Sequence, residues 1–183
     1  MTPSDVYEER YRPTPKTRRV IAISFLFTAA LLVTPVNALT RILGLALFGV
    51  GGVIMAIGAF SRKVALRVDG TGITLGGSPL RHAATTAHVP WAEAQAVVRW
   101  RQELAQNLPW IGVLRPHDAP PVPGTPTGPA GKLMAGFGYA VSGAPDPRLV
   151  AAGRAINGWR LDLDRLTTAG RHHAPDVDVH DMR

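Results

Sequence analysis

Apolar residues along this chain are arranged in two different ways. Near the N-terminus they run without interruption, since residues 20 to 34 and 42 to 60 hold no charged side chain. Beyond Arg62 they alternate with polar ones. The second continuous run, Ile42 to Phe60, has 19 residues. At ~1.5 Å per residue a helix of that length reaches roughly 28 Å, about the hydrocarbon thickness of a bilayer. Arg41 on one side and Arg62 with Lys63 on the other bracket it, where long basic side chains reach water. A chain of 183 residues has little material to enclose a helix that is apolar on every face, which favours a membrane span over a buried core helix. The first run, Val20 to Val33, is shorter, and Pro35 limits its far end. It also fits a secretory signal, with Arg18 and Arg19 ahead of it and Val36-Asn37-Ala38 resembling a cleavage site. The second run begins almost at once, so both are expected to insert together as a hairpin, with helices at about residues 20–34 and 42–60.

Orientation follows from the flanking cations. Arg10, Arg12, Lys16, Arg18 and Arg19 precede the hairpin, Thr34 to Thr40 carry no Lys or Arg, and Arg62, Lys63 and Arg67 follow it. Both termini are therefore expected in the cytoplasm. Residues 1–19 read as a tail, 20–61 as the hairpin, and the protein as a multi-pass component of the plasma (inner) membrane. Gly44, Gly51 and Gly58 recur every seven residues, and Gly52 with Ala56 forms a small-xxx-small pair. Such positions let a second backbone approach closely, within the hairpin or between two copies. Neither run carries an ionisable residue, which argues against an ion pathway.

From Val64 the hydrophobic period becomes two. Val64, Leu66 and Val68 share a face, Asp69-Gly70-Thr71-Gly72 forms a turn, and Ile73 with Leu75 resumes the alternation, predicting a β-hairpin over residues 64 to 76. A weaker strand is expected around Leu80 to Val89. In the next, residues 96 to 104, Val98, Trp100 and Leu104 are expected inward and Val97, Arg99, Arg101 and Glu103 outward. Further strands are expected around Trp110 to Leu114 and Phe137 to Val141. Arg115 to Gly131, rich in Pro and Gly, should be a mobile loop between strands. After Pro145, Asp146-Pro147 either caps a short helix through Ala155 or begins an edge strand. Asp162 or Asp164 can cap a final amphipathic helix reaching about His173, with Leu163, Leu166 and Ala169 on one face. The expected fold is a membrane-anchored α+β protein. A transmembrane hairpin is followed by a small bent antiparallel sheet or barrel over residues 62–175, closed by a C-terminal helix. Residues 176–183 are expected to form a tail.

The stretches LRVDGTGITL, VPWAEAQAVVRW and GWRLDLDRL leading into HAPDVDV resemble the bacterial pleckstrin-homology-like domains that follow a two-helix anchor. The resemblance spans about Arg62 to Val179 and departs in the Pro-rich insertion. It implies a binding or scaffolding domain without assigned catalysis, and it lends no functional residues.

Charge and candidate chemistry narrow the reading. The net charge is +7, but from Arg62 onward 14 Lys or Arg face 10 Asp or Glu, an excess of 4 with no basic run. Nucleic acid is therefore not an expected partner. The absence of cysteine excludes disulfides, thiolate catalysis and thiolate metal sites. Gly131-Lys132 lacks the earlier glycine and following hydroxyl of a phosphate-binding loop, and Ser142-Gly143 lacks the preceding glycine of a nucleophile elbow. His172, His173, Asp176, Asp178 and His180 carry ligand-type groups, but adjacent histidines on a helix point about 100° apart, so a solvated tail is expected. The four tryptophans, Trp91, Trp100, Trp110 and Trp159, read as core anchors. Arg62, Lys63, Arg67, Arg99 and Arg101 are the candidate lipid- or partner-facing residues, with solvated ion pairs as the alternative. The expected function is a non-enzymatic domain that binds a protein or a lipid at the cytoplasmic membrane surface, without cofactor or metal. The alternative is a structural subunit of a larger membrane assembly, packed through Gly44, Gly51, Gly52 and Gly58. An enzyme, the third reading, lacks a convergent polar constellation.

Overall fold

A computed structural model describes residues 6–102, 108–125, 136, 139 and 142–182. The fold is mixed α+β, with two four-stranded sheets and a pair of long helices that leaves them.

The chain opens with strand β1 (Tyr7–Arg10) and only then enters helix α1 (Pro15–Val33). Thr14 starts α1 by accepting the Thr17 N–H at 3.1 Å, and Pro15 occupies the first turn, where a missing N–H costs nothing. Helix α2 (Ala38–Phe60) begins four residues before the apolar run. Asn37 accepts the Thr40 N–H at 2.8 Å, and Arg41 ties the turn by donating to the Thr34 carbonyl at 3.1 Å.

The two helices run antiparallel and in contact, with Phe27 stacked on Phe48 at 4.9 Å between ring centroids. Gly44 lies against Leu31, and a Cβ at Gly52 would sit 3.1 Å from that of Ser24. Gly51, expected in this interface, has open space where its Cβ would be, while Gly58 faces Pro79 of the β domain instead. The reason is local. Leu45–Val50 are π-helical. Bonds from i to i+5 take in one more residue per turn than α-helical ones, so the contact moves from position 51 to 52. Among the described residues one helix, Ala38–Phe60, is long and apolar enough to cross a membrane. The expectation of two such helices is met by one, because Lys16, Arg18 and Arg19 occupy the first turns of α1.

After α2 come β2 (Val64–Asp69), β3 (Gly72–Leu75) and β4 (Ala87–Pro90). They form the first sheet in the order β1-β2-β3-β4, antiparallel throughout. The β2–β3 hairpin is the one the alternation predicts. Gly72 at its turn has φ +150°, and a Cβ there would collide with the Val89 carbonyl. Where one strand was expected from Leu80 to Val89, a short helix α3 (His82–Thr85) intervenes before β4. The hydroxyls of Thr85 and Thr86 accept the N–H groups of Ser78 and Gly77 and hold this turn.

The second sheet contains β5 (Ala96–Gln102), β6 (Leu108–Leu114), β7 (Gly153–Ala155) and β8 (Asp178–Asp181) in the order β7-β6-β5-β8. Residues 146–158 hold both expected alternatives, a helix α4 (Pro147–Ala151) capped by Asp146 and then β7. The expected C-terminal tail instead supplies β8, parallel to β5. The fold thus has two sheets, one with a parallel pair, where one bent antiparallel sheet was expected. Of the strand expected at Phe137–Val141, Tyr139 is helical and the other alternating positions lie outside the described residues, as do Glu103 and Leu104. The start of the expected mobile loop is anchored, with Val122 in the core and Arg115 paired to Glu93.

The main core lies between the sheets and includes Tyr7, Leu66, Val68, Ile73, Leu75, Val97, Ile111 and Val113. Val97 is therefore inward, against expectation. A second cluster covers the opposite face of β5, where Val98 and Trp100 pack with Ala144 and Leu149. Helix α5 (Leu163–His173) is capped by Asp162, which accepts the Arg165 N–H at 3.0 Å. It buries Leu166, Ala169 and Gly170 along one face. It packs on β1, β2 and β8, and Leu166 joins the main core rather than the cluster of Val98 and Trp100.

Candidate functional site

The predicted basic face does not assemble. Arg67 sits in the first sheet, whereas Arg99 and Arg101 sit in the second. Arg67 pairs with Asp69 at 2.8 Å and approaches Glu8 at 3.6 Å. Arg99 lies opposite Asp181 in the β5–β8 register and binds it through both carboxylate oxygens, at 3.1 and 3.0 Å. Arg101 is exposed near the end of β5. Lys63 donates to the Pro79 carbonyl at 2.9 Å. Arg62 is different. It is exposed, and with φ +51° it is the one non-glycine among the described residues in the left-handed region. That conformation costs about 1–2 kcal/mol, and the close helix-to-strand passage from Phe60 to Val64 imposes it.

Among the described residues, several clefts gather at the neck where the helices meet the sheets. The link Tyr11–Thr17 runs through it, held by the Tyr11 N–H on the Lys63 carbonyl (3.0 Å) and the Arg12 N–H on the Gly158 carbonyl (2.7 Å). Four clefts surround this link and share walls. The largest, about 690 Å³, has Arg10, Arg12, Arg160 and Asp162 on its walls. Next to it a cleft of about 500 Å³ is lined by Arg10, Tyr11, Arg12, Pro13, Arg18, Phe60 and Arg62, with no carboxylate. A third, about 390 Å³, lies under the end of α2 and holds Tyr11, Ser78, Arg154 and Asn157. The fourth, about 470 Å³, runs along Lys16, Val20 and Met55.

Two buried tyrosines from the segment expected to be a tail hold this neck to the domain. Burial pushes the Tyr7 hydroxyl up to about 12. Its oxygen accepts the Asp162 N–H at 2.9 Å, and the Arg165 guanidinium stands 5.4 Å from its ring centroid. The Tyr11 hydroxyl donates to the Gly77 carbonyl at 3.2 Å, and burial raises its pKa as well. Arg154 donates to the carbonyls of Gly153 (2.7 Å) and Thr85 (2.8 Å), and burial lowers its pKa. These carbonyls, rather than a carboxylate, compensate its desolvation.

Sequence reasoning used Arg10, Arg12 and Arg18 for orientation alone and missed their convergence with Arg62. A signal was present in Tyr7 and Tyr11, two large aromatic residues in an otherwise charged stretch. The bulge between Glu9 and Arg10, which breaks the period of two, obscured it. All four tryptophan N–H groups bond to protein oxygens, those of Asp69, Ser142, Gln102 and Ala155 for Trp91, Trp100, Trp110 and Trp159. Trp100 and Trp159 are buried. Among the described residues no group of three or more His, Asp or Glu side chains is placed to hold a metal ion, and His172 stacks edge-on against His173. Comparisons with protein-family models, with curated proteins and with solved structures found no match to this chain.

Proposed function

We propose that the chain is an integral membrane protein whose helix pair forms a hairpin anchor, presenting the two-sheet domain as a non-enzymatic binding platform at the cytoplasmic surface. The carrying observation is the pairing of β1 with β2, strands that precede and follow the helix pair, through Tyr7–Val68 to Arg10–Val64. A chain that leaves a sheet, runs out along α1, returns along α2 and rejoins the same sheet has both ends of its hairpin on one side. Helix α2, 23 residues or roughly 34 Å, spans a bilayer with some tilt. Helix α1 reaches roughly 28 Å when its first turns lie at headgroup depth, where Lys16, Arg18 and Arg19 extend to water. The cations at this end support a cytoplasmic side for it, with the turn at residues 34–37 on the other. The pleckstrin-homology-like resemblance, which implies a binding or scaffolding domain, supports a protein or lipid partner rather than a substrate. The open space at Gly51 favours a second reading, a subunit whose hairpin packs against another membrane helix.

The chain has no cysteine, so an introduced one reports alone. In intact cells a membrane-impermeant maleimide should label Val36→Cys and leave Thr2→Cys and Asp176→Cys untouched until the membrane is permeabilised. Labelling at Asp176→Cys in intact cells would overturn the proposal.

A further inference from the structure

We infer that the cleft lined by Arg10, Arg12, Arg18 and Arg62 binds the phosphate-bearing headgroup of an anionic phospholipid from the same leaflet. The inference rests on the hairpin reading and gives the neck a ligand. Three separate segments supply the cations: the end of β1 with its link, the first turns of α1, and the junction after α2. Arg10 is partly committed, pairing with Glu8 at 2.7 Å and donating to the Arg62 carbonyl at 3.3 Å. Arg12, Arg18 and Arg62 have no carboxylate partner among the described residues, and none lines the cleft. Like charges held together in one concavity repel, and an anion removes that cost. Guanidinium groups suit a phosphate because their planar forks bind its oxygens in pairs.

Depth selects a lipid over a free anion. Phe60 ends the apolar surface of α2, and Val20, two residues after Arg18, begins that of α1. The cleft therefore opens at the level where a bilayer changes from acyl chain to headgroup. Exposed Phe60 and half-buried Pro13 give its floor an apolar side for the glycerol end of the ligand. A volume of about 500 Å³ lies within the ~300–1,000 Å³ of small-molecule sites. A glycine would take the left-handed backbone at position 62 without strain, yet the chain carries there an arginine that lines the cleft.

The test uses the full-length protein in detergent, titrated with phosphatidylglycerol or phosphatidylcholine and read by native mass spectrometry. The wild type should hold one phosphatidylglycerol at least roughly tenfold more tightly than phosphatidylcholine, as a few basic residues at an anionic surface allow. Arg12→Gln with Arg18→Gln should reduce that preference to within about twofold, because two of its three cations without a carboxylate partner are gone. Arg67→Gln with Arg101→Gln, away from the neck, should keep it. Near-UV circular dichroism of the tryptophans checks folding. If the double variant does not fold, the wild-type comparison of the two lipids still decides. Equal affinity for both lipids would overturn the inference. So would displacement of phosphatidylglycerol by excess inorganic phosphate, which would identify a free anion as the ligand. Failure of the hairpin reading would show separately, as a reversed labelling pattern at Val36→Cys and Asp176→Cys.

Discussion

Leucines are treated in opposite ways by the two halves of this molecule. In the two-sheet domain, Leu66 and Leu75 of the strands are completely buried, and Leu166 of α5 is 1% exposed. Along the helix pair, Leu26 and Leu47 are 70% and 67% exposed, in company with Ile42, Val33 and Phe60. The sheets hide their apolar residues because two stacked layers and α5 enclose a core. The helices meet along Gly44 and Gly52, packed against Leu31 and Ser24, and through the Phe27–Phe48 stack, while Leu26, Leu47, Ile42 and Val33 stay exposed. A contiguous run of exposed large apolar side chains of this kind marks an interaction surface rather than ordinary solvated surface. The difference teaches that the sheets build their own apolar interior while the helix pair leaves its apolar side chains uncovered, which is what the proposed membrane hairpin accounts for.

The sharpest way to break this contrast is to make one substitution in both halves. Leu166→Ala should lower the stability of the full-length protein by ~2–5 kcal/mol, a large share of the ~5–15 kcal/mol available to a domain. Leu47→Ala should move the same unfolding midpoint by less than ~0.5 kcal/mol, since Leu47 contributes nothing to the core. Similar losses at both positions, in urea titrations followed by tryptophan fluorescence, would erase the distinction.

A smaller effect comes from the β2–β3 turn. Burial alone would raise the Asp69 carboxyl, but hydrogen bonds from the Thr71 hydroxyl and N–H and from Arg67 outweigh it and hold the group at about 2. In the unfolded chain it titrates near ~3.9. The stability it contributes is therefore complete above that value and is lost as the pH falls through about 2. Asp69→Asn should flatten the acid limb of the stability profile over that window and leave the helix pair unaffected. An unchanged acid limb would mean that the turn contributes nothing.

What the sequence made legible follows the same division. Alternation at Val64–Asp69 and at Gly72–Leu75 located the first hairpin, because Leu66, Val68, Ile73 and Leu75 are buried while Arg67 and Thr74 between them are not. Helix α5 was equally plain, since its apolar residues repeat at helical spacing, and of the two candidate caps, Asp162 and Asp164, the structure uses Asp162. Val97 was misplaced because β5 is covered on both faces, which removes the contrast that period-two reasoning uses. Strands β1 and β8 were read as tails because each is short and charged. Each is stabilised by partners distant in the chain, β1 by β2 and β8 by β5. The glycine interface was shifted by a π-helical segment that no residue pattern announces. The cationic cleft stayed hidden for a related reason, since Arg18 and Arg62 meet only when the helix pair folds back on itself.

The claim that lipid solvates the outer faces of both helices can be measured directly. Nitroxide labels at Leu26→Cys, Leu47→Cys and Ile54→Cys, in the full-length protein reconstituted in lipid nanodiscs, compare access by molecular oxygen with access by a water-soluble nickel chelate. Oxygen concentrates in the acyl region, so all three sites should show high oxygen and low nickel accessibility, while a label at the exposed domain residue Arg101→Cys should show the reverse. Nickel access at Leu26→Cys or Leu47→Cys equal to that at Arg101→Cys would contradict a membrane hairpin.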